Sequence, residues 1–207
     1  VDPENGRLPA MTDDGARRAQ LWSAKAAAAY PHAGPEDLRP YDRCISRGQS
    51  GMWPTHVNNG KLILQTPGYV VIHSEMIHNV RIIPIDTPHA HEKIRLWNGD
   101  PRGRWEGNTL VVDTTNLNAK SRLDVIGDFF SDQAHILERF IFIDGTTMHY
   151  EATITDPTVF TRPWTMQVIQ RREPDEEFWE YACHEGNIGL YGILAGARNL
   201  ERQGREL

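Results

Sequence analysis

The stretch "AHILERFIFIDGTTMHYEATITD", Ala134 to Asp156, decides the fold. Apolar and polar residues alternate on either side of Asp144-Gly145, which is the pattern of two antiparallel strands joined by a tight turn. With a two- or four-residue loop, Glu138, Phe140 and Phe142 share a face with His149, Glu151 and Thr153. A three-residue loop pairs Arg139 with Glu151 instead. The strand pattern leaves the loop length open; the first arrangement would gather two carboxylates and a histidine among aromatics, a setting that splits carboxyl pKa values into acid and base, and the second makes a plain salt bridge.

Outward from this hairpin the same period recurs. Strands are expected near Lys61–Gln65, Tyr69–Met76, Val80–Ile85, Thr109–Thr115, His135–Ile143, Thr147–Thr155, Thr165–Arg171 and Phe178–Cys183. Turn signals at Thr66–Gly68 and Glu106–Asn108 punctuate them. Helices of crossover length are missing between the strands, which excludes a parallel sheet. The prediction is a mainly β chain: an antiparallel meander of about eight strands forming a closed or strongly curled, lipocalin-like barrel, with a sandwich as the alternative. Residues 1–60 read as an N-terminal helix, Asp13–Tyr30 behind the N-cap Thr12, followed by a Pro- and Gly-punctuated wrapping arm. Residues 61–207 form the barrel domain, ended by a helix over Leu190–Gln203 that plugs or braces one end.

The chain has 207 residues, 39% hydrophobic, with a formal charge of −6 spread along its length. It has no basic stripe for nucleic acid and no apolar run of the roughly 18 residues needed for membrane insertion. Cys44 and Cys183 lie outside any Cys-x-x-Cys pair, leaving a long-range disulfide or two buried thiols. The beginning "VDPENGRLPA" reads as a processed form whose targeting segment has been removed.

Within "PGYVVIHSEMIHNVRIIPI", Pro67 to Ile85, His73 and Glu75 share a strand face and His78 falls in the following turn. They offer metal ligands, an acid–base pair or ordinary solvated residues; Glu75 and His78 are the site candidates and His73 is structural. His89-x-His91-Glu92 superficially resembles a cupin metal motif but lacks its Glu spacing, so an exposed loop is expected. In "EEFWEYACHEGN", strand alternation sends Cys183 and His184 to opposite faces, which disfavours a cysteine nucleophile. His184 and Glu185 at the strand end suit acid–base work better. Arg102, Arg104 and Trp105 lie beside Asp100, where arginine and indole can hold a carboxylate or stack on a ring, or can simply form a surface loop.

Four strings, "QTPGYVVIHSEMIHNVRIIPID", "GDPRGRWEGNTLVVDTTN", "ERFIFIDGTTMHYEATITDPTVFTRPWT" and "EYACHEGNIGL", resemble those of a large family of mostly uncharacterised, secreted bacterial proteins. The resemblance runs from Leu62 to Arg198, with a weaker echo in "VDPENGRLPAMT". It implies a periplasmic or extracellular location and a Cys44–Cys183 disulfide. It also favours Glu75, His78, Arg81, Arg104, Glu138, Arg139, Trp164, Glu180, His184, Glu185 and Asn187 as site positions, whereas His73, His89 and His91 match it loosely.

The expectation is an exported small-molecule enzyme of lyase, isomerase or hydrolase type that needs no cofactor. Glu75, His78, Glu138, Glu151 and His184 are the catalytic candidates. Arg81, Arg104, Trp105, Arg139, Trp164 and Tyr181 are the substrate-binding candidates. The alternatives are an exported lipocalin-like binding protein for an apolar or aromatic ligand, and a metal enzyme built on His78 and His184. The partner expected is a small molecule, with a homo-oligomer allowed.

Overall fold

The computed structural model describes residues 2–26, 32–46, 48, 57–120, 123 and 128–205. Eight strands pair antiparallel in chain order as two sheets. The first holds β1 (Lys61–Thr66), β2 (Tyr69–Ser74) and β3 (Val80–Pro84). The second holds β4 (Asp100–Glu106), β5 (Thr109–Thr115), β6 (His135–Phe142), β7 (Thr147–Thr155) and β8 (Trp164–Arg171). Helices α1 (Asp13–Ala26) and α2 (Ile188–Arg202) flank them. Among the described residues the strands form these two sheets, not one ring of pairing.

One core joins the sheets: Val70, Ile72 and Ile83 from the first pack with Leu110, Val112, Ile136, Phe140, Tyr150 and Ile154 from the second. The seam is closest at Gly103, which bridges Ile85 in parallel, with the Asp86 N–H donating to the Gly103 carbonyl at 2.9 Å. A Cβ at Gly103 would stand 2.6 Å from Ile85 Cδ1 and 2.9 Å from Ile83 Cγ2, so any other residue there pushes these core side chains aside.

Two strand expectations are corrected. Asp100–Glu106, read as a loop, is β4: Pro101 and Gly103 hide its alternation, and Gly103 is needed at the seam. Phe178–Cys183, read as a strand, has no regular structure: Phe178 packs against His73 at 4.8 Å and Trp179 stands exposed, with no partner strand beside them among the described residues. The structure also decides the hairpin register, which the sequence leaves open. Its loop has three residues, Asp144 to Thr146: the Ile143 N–H donates to Thr147 O at 3.0 Å, and Asp144 Oδ1 accepts from the Thr146 and Thr147 amides at 2.7 and 2.8 Å. The Asp side chain caps the turn and fixes its length. Arg139 therefore pairs with Glu151, and Glu138 pairs with Ala152 on the opposite face.

Thr12 caps α1 as expected, its hydroxyl accepting from the Gly15 amide at 3.0 Å. The expected end of that helix at Tyr30 lies outside the described residues. Helix α2 buries only Ala197 and braces the arm: Arg198 donates to Ala33 O at 2.7 Å, and the N-cap Asn187 donates to Asp42 O at 2.9 Å. Cys44 and Cys183 form a disulfide.

Candidate functional site

Strand β2 stops at Ser74 instead of running to Met76, and the chain turns sharply through Glu75 to His78. Ser74 N–H donates to Asn79 O at 2.9 Å, and His78 N–H donates to Glu75 O at 3.0 Å, which closes the turn. Inside it Ile77 takes φ 60 and ψ 12, and His78 follows at φ 40. A left-handed β-branched residue is a steric outlier costing about 1–3 kcal/mol, tolerated only where its surroundings hold it. Ile77 is held by burial, 2% exposed beside Met76 and the disulfide. Cys44 and Asn58, which meet this turn from the arm, are left-handed as well. Four of the seven positive-φ residues other than glycine, among the described residues, thus converge here.

The strained turn holds two titratable groups. The Glu75 carboxylate is buried, with Oε1 accepting from Asn58 Nδ2 at 2.7 Å. Gly60 leaves room for its other oxygen, since a Cβ there would stand 2.7 Å from Oε2. His78 is exposed, and its Nδ1 lies 2.8 Å from the Tyr181 carbonyl. A carbonyl only accepts, so Nδ1 carries a proton and Nε2 is the ring nitrogen left for base chemistry. The His184 ring stands 6.0 Å from that of His78. The Tyr181 phenol meets that of Tyr41 at 3.4 Å, and this hydrogen bond, with burial, holds its pKa above the ordinary phenol range. The disulfide next to His184 ties this irregular segment to the arm.

Beside the turn a groove of about 430 Å³ follows the seam, walled by Val80, Ile82, Leu96 and Trp97 with Arg102 and Asp100 at one side. Asn98 Nδ2 donates to Asn79 Oδ1 at 2.9 Å and couples the groove wall to the end of the turn.

The structure thus sets His78 against Tyr181 and His184, with Glu75 three residues back in the same turn and Arg81 lining the seam groove, and sends the other candidates elsewhere. Glu138 is 0% exposed, gripped by Arg81 at 2.8 and 2.5 Å and by the Tyr150 hydroxyl at 2.8 Å. Burial opposes the Arg81 charge, but attraction and hydrogen bonds from Glu138 outweigh it and hold the guanidinium above its ordinary range. Glu151 lies on the opposite face and accepts from Gln167 at 3.1 Å. Arg104 and Arg139 both bind Glu106, at 2.7 and 3.2 Å. Trp164 is buried edge-on to Phe160 at 5.8 Å. Arg104 and Trp105 sit at the Tyr69 end of the sheets, about 20 Å of strand from Glu75.

Sequence reasoning missed a network around His89, expected as a plain exposed loop. Its Nδ1 lies 2.9 Å from Asp100 Oδ2 and its Nε2 3.2 Å from Asp113 Oδ1, while His135 Nε2 meets the same Asp113 oxygen at 2.9 Å. The partners come from β4, β5 and β6, too far apart in the chain for any spacing to signal them. Among the described residues no group of three or more His, Cys, Asp or Glu side chains is arranged to hold a metal ion, and no helix is long and apolar enough to cross a membrane. No protein-family model matches the chain, and no curated protein or solved structure matches it either.

Proposed function

We propose that this protein is an exported enzyme that moves protons on a small organic substrate at the Glu75–His78 turn, in lyase, isomerase or hydrolase chemistry. The observation that carries this reading is the turn itself: a strained, buried Ile77 set between a carboxylate and an imidazole whose tautomer is fixed. Strain of this kind persists where geometry is being held for a purpose. His78 Nε2 takes the proton as base, and Glu75, or His184 across the gap, returns one as acid. The seam groove holds the apolar part of the substrate, and Arg102 steadies developing negative charge. The Cys44–Cys183 bond supports export, since disulfides persist in oxidising compartments. The resemblance of four strings to those of secreted bacterial proteins, read from the sequence alone, points the same way.

The test is a mass-spectrometric screen of small organic compounds for conversion by the wild type, Glu75→Gln and His78→Ala. Conversion lost about 100-fold or more in both variants, with unfolding curves unchanged, supports the reading. Conversion that survives both substitutions overturns it. A molecule retained by the protein but never converted favours a binding protein, for which the apolar walls of the groove speak.

A further inference from the structure

We propose a second binding site, for neutral saccharides, at the other end of the seam. There the Pro67-Gly68 turn of the first sheet and the end of β4 in the second flank an open groove of about 520 Å³. Tyr69 and Trp105, 48% and 38% exposed, line it together with Ile85, Gln65 and Thr66. Exposed tyrosine and tryptophan in a concavity mark a surface made to meet a partner with an apolar face and polar edges.

The charge pattern selects the ligand. None of the residues lining the groove is charged. The arginines on the neighbouring strands are directed at a carboxylate: Arg104 binds Glu106 at 2.7 Å, and Arg139 takes the other Glu106 oxygen at 3.2 Å. The lining itself therefore offers a carboxylate or phosphate no cation. A pyranose ring presents C–H faces that stack on aromatics and hydroxyls that pair with the Gln65 amide and the Thr66 hydroxyl, both of which donate and accept.

The groove is also held in place. Trp105 is backed by the Phe142 ring at 6.1 Å, inclined by 33°. Gly68, at φ 77, completes the turn, and its carbonyl accepts from the Ile85 amide at 2.9 Å, tying Ile85 to the turn. A preformed platform loses little entropy on binding. The site is separate from the acid–base turn and does not depend on it.

The experiment is an NMR titration of the full chain with cellobiose, maltose and diacetylchitobiose, with a proline decamer alongside. At least one disaccharide is expected to shift the amides of Gln65 to Tyr69 and Ile85 and the Trp105 indole saturably, with a dissociation constant of about 1–20 mM. Trp105→Ala should weaken this about tenfold or more, and Gln65→Ala, which removes no core contact, severalfold. No shift with any of the three sugars at about 50 mM overturns the proposal, as do shifts that Trp105→Ala leaves intact. Saturable binding of the proline decamer alone assigns the groove to extended proline-rich peptides and overturns it too.

Discussion

Arg81 and Glu138 form the most enclosed ion pair described here, with side chains 3% and 0% exposed and the Tyr150 hydroxyl as third partner. Removing one member leaves a buried charge without its counter-charge, so Arg81→Met or Glu138→Leu alone should cost about 3–5 kcal/mol in urea unfolding. The double variant should recover most of that loss, because a filled apolar site of the same volume is often as stable as the pair. A double variant no better than the singles would mean the three groups hold the sheets together in some other way. Sequence alone placed Glu138 in a site and gave no sign of this partnership, because Arg81 lies 57 positions away in the other sheet. Glu75 and His78 were legible as candidates from their residue types. The left-handed Ile77 between them was not, since isoleucine is among the last residues expected at φ 60.

At the scale of elements, α1 docks through Gly15, where an added Cβ would stand 2.5 Å from the Val159 carbonyl. Alanine is the better helix former by about 1 kcal/mol. Gly15→Ala should nonetheless lower the melting temperature, because the helix must back away from the loop it caps. The end of α1 is tied differently, by an ion pair from Lys25 to Asp37. That hydrogen bond holds the Asp37 carboxyl below its ordinary 3.8, against a smaller upward pull from burial. A lowered carboxyl pKa adds stability that is complete above about pH 3.8 and lost as pH falls through the folded value. Wild type should therefore exceed Asp37→Asn in thermal unfolding at neutral pH, and the gap should close only in that acid window. Seven of the eight observed strands were readable from their alternation. The eighth, Asp100–Glu106, was not, because a proline and a glycine interrupt its pattern where the two sheets meet. The hairpin register stays open in the sequence for a local reason: Asp144 bonds the amides that follow it and sets a three-residue loop, a choice invisible to strand periodicity.

At the scale of the whole molecule, two sheets share one core, while the arm and the segment after β8 are fastened across it by the disulfide. The bond closes a loop spanning 139 positions, which limits the unfolded chain and is expected to contribute about 4–5 kcal/mol; chemical unfolding with and without reductant measures it. All eight strands lie between its two cysteines, whereas α1 and α2 hang outside. The β-sheet body is thus a covalent ring with two helical tails. A protease that cuts the ring once, for instance in the long connection from Asp86 to Gly99, opens a circle without freeing a fragment. On a gel the nicked protein should run as one species until reductant is added and as two afterwards. In a compartment rich in proteases, such a chain survives a first cut as a single object.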